Sequence, residues 1–267
     1  MDEALGAMVR YALVTGGSSG IGLAISQLFA RDGYGLMWVS ENESQLQTAT
    51  DELRSNYPNM ELHTLYADLS KPENCEIVYQ WANRIGKVDV LVNSAGFGTY
   101  GELHALNEQL ELDMIQLNVV TTYRLTRMFS ERMKEAGFGH IGNLSSNTAL
   151  QPVPKMSAYA ATKAFVKHFS LSLHHELKGT GVTVTTVIPP ATVGTRFQQR
   201  ASMQGVKTFQ GMLATSVEEV ADRAYRGIIR GDKIVFGGWK LQWTRPIAAI
   251  LPSFLIQWLI KRELDRN

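Results

Sequence analysis

An α/β fold, with a doubly wound parallel sheet of about seven strands and helices on both faces, is predicted by three observations. Short apolar runs alternate with helical patterns from residue 10 to about 190. The first run ends in a glycine-rich turn that opens a helix. Several later runs carry polar, chemistry-bearing residues at their carboxyl ends, where parallel sheets bind ligands. Right-handed crossovers then place helices on the two faces in turn.

The elements follow in order. Tyr11 to Thr15 reads as a strand, and Gly16-Gly-Ser-Ser-Gly20-Ile-Gly22 as a turn. A helix runs from that turn to Arg31, with Ile21, Ala24, Ile25, Leu28 and Phe29 on one face. Gly16 permits a sharp turn. Gly20 and Gly22 let backbone approach a pyrophosphate, which would meet the positive end of the helix. Gly35 to Val39 is a second strand, followed by a helix over Asn42 to Asn56. Glu41 lies 19 residues past Gly22. A carboxylate there suits the ribose diol of NAD and repels the extra phosphate of NADP. No Arg or Lys stands at Ser18, Ser19, Ser40 or Glu41, so NAD(H) is expected over NADP(H). The competing reading makes Glu41 a solvated acid at a helix start.

Glu61 to Ala67 is a third strand, closed by Asp68-Leu69, and Pro72 to Ile85 a helix. Asp68 is read equally as reaching an adenine edge or capping a helix. Val88 to Asn93 is a fourth strand, and Asn93 and Gly96 would line a cofactor trough. Asn107 to Glu135 reads as one long helix with a break near its start. Asn118 within it is read either as a buried amide packed on backbone or as a kink holding a water behind Lys163. His140 to Leu144 is a fifth strand that delivers Ser145-Ser146. Ser157 to Lys178 is a helix, and Val182 to Ile188 a sixth strand. Residues 190–215 read as a substrate lid. Thr215 to Arg230 is a helix with a capping-box start, Ser216 to Glu219, and Lys233 to Phe236 a last strand. The apolar extension 239–267 holds Trp239, Trp243 and Trp258, is broken by Pro246 and Pro252, and lacks the length of a membrane span. It is read as a subunit interface or pocket cap, with a membrane-surface helix as the second reading.

The chemistry is placed between Ser145 and Lys163. Tyr159 and Lys163 are four apart, on one helical face. A cation beside a phenol favours the phenolate, so the Tyr159 pKa is expected to fall toward working pH. Tyr159 is thus a candidate general acid or base, and the Ser146 hydroxyl a candidate holder of a carbonyl or alcohol oxygen.

The 267 residues fit one domain, with 45% hydrophobic and 19% charged residues. A net charge of +1 gives no sign of a nucleic-acid partner. The single cysteine, Cys75, suits a reducing compartment, and no zinc-type cluster is present, so no metal is expected. Met1 to Arg10 lacks the apolar core of a signal peptide, and a cytoplasmic location is expected, with a membrane-peripheral one as the alternative.

Together these residues resemble the single-domain branch of the short-chain dehydrogenase/reductase family. The resemblance covers Tyr11 to about Thr195. It rests on Thr15-Gly-x3-Gly-Ile-Gly22, Asp68, Asp89-Val-Leu-Val-Asn-Ser-Ala-Gly96, Asn118, Ser146, Tyr159-x3-Lys163 and the segment at Pro189. It implies a Rossmann fold, a nicotinamide cofactor and a catalytic tetrad of Asn118, Ser146, Tyr159 and Lys163. It also implies cofactor contacts from Gly16, Ser18, Ser19, Gly20, Ile21, Gly22, Glu41, Asp68, Leu69, Asn93, Ala95, Gly96, Tyr159, Lys163 and Pro189. Ser94 stands where the family usually has Asn, and Pro190 where it usually has Gly. The nicotinamide amide contact is left open between Thr192 and Thr195. The proline segment is similar to that of reductases of long-chain lipid ketones. The implied reaction is hydride transfer between a ketone and a secondary alcohol, on an apolar small molecule, in a homodimer or homotetramer. The alternatives are a 3-oxoacyl thioester reductase and a catalytically silent dinucleotide-binding regulator.

Overall fold

The computed structural model describes residues 9–210, 214–242 and 264. Seven strands form one wholly parallel sheet in the order β3-β2-β1-β4-β5-β6-β9. They are β1 (Tyr11–Thr15), β2 (Gly35–Ser40), β3 (Leu62–Tyr66), β4 (Val88–Asn93), β5 (Gly139–Leu144), β6 (Val182–Ile188) and β9 (Ile234–Phe236). The two short strands β7 (Thr192–Val193) and β8 (Thr215–Ser216) pair with each other outside that sheet, at the two ends of the expected lid.

Side-chain alternation explains why helices cover both faces. Tyr11 and Leu13 of β1 enter one core and Ala12 and Val14 the other. The first core is completed by α3 (Asn74–Ile85), α4 (Glu108–Ile115), α5 (Thr122–Glu135) and α6 (Ser157–Glu176), through Val78, Met114, Phe129 and Ala160. The second is completed by α1 (Gly20–Arg31), α2 (Glu43–Asn56) and α8 (Val217–Arg230), through Phe29, Leu53 and Ile228. Each fully buried aliphatic or aromatic side chain of this kind stabilises by roughly 1.5–3 kcal/mol.

Two local results refine the expectations. Asn42 and Ser216 cap α2 and α8, accepting from the N–H groups of Gln45 and Glu219. The span expected as one helix from Asn107 is three pieces. Asn107 caps α4, and α4 and α5 are joined by a π-helical turn, Gln116–Thr121. The break therefore lies mid-span, at Asn118, and not near the start. Among the described residues no helix is long and apolar enough to cross a membrane. Of the extension 239–267, Trp243, Trp258 and most other residues lie outside the described set, and with them the interface and membrane-surface readings.

Candidate active site

A cavity of about 1300 Å³ opens at the carboxyl ends of β1, β2, β4, β5 and β6. One end begins at the β1–α1 turn. Gly16 and Gly20 have φ of +68° and +53°, left-handed values that glycine adopts without strain. A Cβ on Gly22 would sit 2.4 Å from the Gly16 oxygen, so α1 packs directly on the turn. Ser19 precedes α1 without donating or accepting a capping bond, and the first turn of α1 holds no acidic residue. Its N–H groups therefore face the cavity uncovered, as a phosphate would require. Gly16, Ser18, Ser19, Gly20 and Ile21 line this end. The residues fit a dinucleotide.

The wall continues along β2 and β3. Ser18 Oγ donates to Ser40 Oγ at 2.8 Å, and Ser40, Glu41, Asn42 and Gln45 line the cavity with Ala67 and Leu69. Asp68 does not. Its carboxylate accepts from the N–H and hydroxyl of Ser70 at 2.9 and 2.7 Å, a local turn; it neither lines the wall nor caps α3, whose first turn follows Glu73. Asn93 is also set back from the wall. It is 4% exposed, and its amide nitrogen donates to Thr126 Oγ1 and Asn143 Oδ1, tying β4 to α5 and β5. Ser94, Ala95 and Gly96 do line the wall, with the N–H groups of Ser94 and Ala95 held by Thr15 Oγ1, each at 3.1 Å.

The far end gathers the expected chemistry. Ser146 comes from the carboxyl end of β5 and Tyr159 and Lys163 from successive turns of α6, and all three line the cavity. Lys163 Nζ lies 5.9 Å from the Tyr159 ring centre and donates to the Leu144 carbonyl at 3.0 Å. Asn118 is fully buried behind them. Its Oδ1 accepts from Phe97 N–H, and its Nδ2 donates to Phe97 O and to Thr162 Oγ1. A Cβ on Gly96 would lie 2.7 Å from Asn118 Oδ1 and 3.3 Å from Lys163 Nζ, so the Gly96 backbone runs between the two side chains. The buried-amide reading of Asn118 thus describes its observed bonds.

The electrostatics overturn one expectation. Burial pushes the Tyr159 phenol up to about 12, against a hydrogen bond with Ser146 that pulls it down. The same burial drives Lys163 down to about 8. Desolvation opposes both charges here, and the phenol rises where the spacing of Tyr159 and Lys163 led to the expectation of a fall. At neutral pH Tyr159 carries its proton and Lys163 is largely cationic.

Pro189 and Pro190 lead from β6 into the lid, and Thr192 and Thr195 both line the cavity. Thr192 Oγ1 donates to Pro190 O at 2.9 Å, whereas Thr195 carbons sit 3.5 Å from a Cβ built on Gly20. Thr195 therefore faces the glycine turn. The lid helix α7 (Phe197–Arg200) supplies two further residues. Phe197 tilts over Tyr159 with ring centres 5.2 Å apart. Arg200, charge-paired with Glu41, lays its guanidinium 4.2 Å above the Phe97 ring. Nothing in the local spacing relates residues 159 positions apart. Val153, Met156, Met203, Phe209 and Leu264 make an apolar wall around this end, and Tyr100 Oη holds the Leu264 carbonyl at 2.6 Å.

The family model described as short chain dehydrogenase matches residues 10–205. An NADP-dependent 3-hydroxy acid dehydrogenase of Shigella flexneri is 31% identical over 218 residues, 80% of this chain and 86% of that protein. A very-long-chain 3-oxoacyl-CoA reductase of Mus musculus is 32% identical over 185 residues, 67% of this chain and 58% of that protein. Among solved structures, a short-chain dehydrogenase from Sphingobium yanoikuyae in complex with NADPH superposes with a TM-score of 0.80 at 29% identity, covering 90% of this chain and 93% of that one.

Proposed function

This chain belongs to the short-chain dehydrogenase family and is an NAD(P)-dependent oxidoreductase, and from that premise we propose that it interconverts a bulky apolar ketone and its secondary alcohol. The observation that carries the proposal is the convergence of Ser146, Tyr159 and Lys163 on one end of a cavity whose other end is the β1–α1 turn.

The glycine turn, the open start of α1 and the β2 end would hold the dinucleotide, which supplies or accepts hydride when bound. The chain's own residues do the rest. Ser146 and Tyr159 bind the carbonyl oxygen and fix its position. Tyr159, protonated at working pH because it is buried, donates its proton to that oxygen as the alcohol forms. In the oxidative direction the deprotonated Tyr159 oxygen takes the proton back from the alcohol. Lys163 places a cation beside the phenol, and so offsets the charge left on Tyr159 once the proton has gone. Asn118 acts as a positioning residue, holding the Gly96–Phe97 backbone against Lys163. Phe197 and the apolar wall exclude water from the reacting oxygen and select an apolar substrate.

Tyr159→Phe tests this reading. The variant is expected to keep its nucleotide affinity and lose at least about hundredfold in turnover, the usual worth of a general acid. Nucleotide-dependent reduction of a ketone panel, followed by NAD(P)H absorbance, measures the turnover. Retention of more than a few per cent of the wild-type rate would remove Tyr159 from the acid role. A 3-oxoacyl thioester is the second reading, favoured by the exposed Arg196 and Arg200 that line the cavity and by the similarity to the mouse 3-oxoacyl-CoA reductase. Faster turnover of acyl thioesters than of free ketones would select it.

A further inference from the structure

Glu41 is the one acidic residue in the described wall of the cavity, and it stands where a ribose would be read. Alone it would repel a 2′-phosphate, which adds close to two negative charges at neutral pH. It is not alone. Arg200 arrives from the lid and pairs with it, bringing the charge at this end to zero. Of the other wall cations, Lys163 donates to Leu144 O, Lys167 donates to Ala149 O, and Arg196 stands at the exposed start of α7. Arg200 is also mounted, because its guanidinium lies 4.2 Å over the centre of the Phe97 ring, which is 3% exposed. Stacking on a fixed ring leaves the planar edge of the guanidinium free to donate two N–H bonds to phosphate oxygens. Both partners of the ion pair are partly solvated, with side-chain exposures of 42% and 38%, so water screens their attraction and the pair is weak. The hydroxyls of Ser18 and Ser40, 2.8 Å apart, line the same end.

We propose that Arg200 is the cofactor-selecting residue of this chain. Its guanidinium is the seat of a 2′-phosphate, and by leaving Glu41 for that phosphate it admits NADP(H) to a site whose carboxylate otherwise suits NAD(H). The proposal rests on the dinucleotide reading of the cavity. It reverses the expectation drawn from Glu41 alone, since the cation that the strand end lacks comes from 159 residues away.

The test is nucleotide binding to the full chain, read by NADPH and NADH fluorescence titration. Arg200→Met keeps the stem over Phe97 and removes the charge. It is expected to weaken NADPH by about tenfold or more and NADH by under about threefold. Arg200→Lys is expected to fall between, and Glu41→Gln to weaken NADH while leaving NADPH unchanged or tighter. Equal effects of Arg200→Met on the two nucleotides would make Arg200 a lid latch only and overturn the proposal. Wild-type chain that binds neither nucleotide would instead overturn the dinucleotide reading, and this inference with it.

Discussion

In the proposed mechanism Lys163 is the residue whose state most constrains the chemistry. Its ordinary pKa of 10.5 is depressed to about 8 by burial, so the ammonium is lost as pH rises through about 8. Reduction measured as kcat/KM for the nucleotide, which reports the free enzyme, is therefore expected to fall above about pH 8. The same displacement has a stability consequence of definite sign. Between the folded value near 8 and the unfolded value near 10.5 the unfolded chain binds the extra proton, so stability rises with pH in that window. Below 8 both states are protonated and the cost of the buried charge is fully present. Tyr159 acts oppositely, because its folded value near 12 exceeds its unfolded value near 10, but only above pH 10. Urea unfolding of wild type and Lys163→Met at about pH 7 and about pH 9.5 should thus show wild type gaining about 2 kcal/mol on the variant. No relative gain would mean that Lys163 is not desolvated. Gly96 gives a second expectation at this scale. A methyl there meets Asn118 Oδ1 and Lys163 Nζ, so Gly96→Ala should cut turnover by about tenfold or more while the chain stays folded, checked by kinetics beside circular dichroism.

At the scale of elements, the sequence was most legible where one physical cause dominates. β1, β4 and β6 have the bounds read from their apolar runs, because buried parallel strands are dominated by apolar and β-branched residues. Ser216 and Glu219 announced α8 because capping is a local bond. The π-helical turn at Gln116–Thr121 was legible only as a break, and was placed too early. One extra residue in a turn shifts the apolar face slightly, which periodicity does not resolve, while the cause is distant: Asn118 must reach the backbone of Phe97. The phenol's direction was misread for a similar reason. Spacing shows that Lys163 is near Tyr159, but how deeply both are buried is decided by Phe197 and the α6 packing. The tightest joint among these elements is that of β1 with α1. Gly22→Ala would push a methyl to 2.4 Å from a backbone oxygen, which cannot move aside as a flexible side chain can. An overpacking cost of about 1–3 kcal/mol is expected, with a matching loss of nucleotide affinity, both measurable by thermal melts with and without nucleotide.

Under the proposed function the whole molecule joins two jobs in one cavity. The carboxyl end of the sheet forms most of the proposed nucleotide end through elements close in sequence, from Gly16 to Gly96, with Thr195 and Arg200 added from the lid. The substrate end is closed instead by parts that arrive late in the chain: Phe197 and Met203 from the lid, and Leu264, held by the Tyr100 hydroxyl. This division explains why the nucleotide end was readable from motifs and the substrate end was not. A motif records contacts within a turn or two, whereas Leu264 meets Tyr100 across 164 residues. It also separates the effects of change at the two ends. Leu264 belongs to the same buried apolar cluster as Val153, Met156, Met203 and Phe209, and that cluster, among the described residues, includes no residue of the β1–α1 turn. Shortening its side chain, as in Leu264→Ala, removes apolar wall from the substrate end alone. Such a truncation of a buried leucine costs about 2–5 kcal/mol, felt here as lost contact with an apolar substrate and as a loosened wall. KM for a bulky ketone should rise several-fold while the dissociation constants for NADH and NADPH stay within about twofold. Equal loss of nucleotide and substrate affinity would show that the two ends do not act separately.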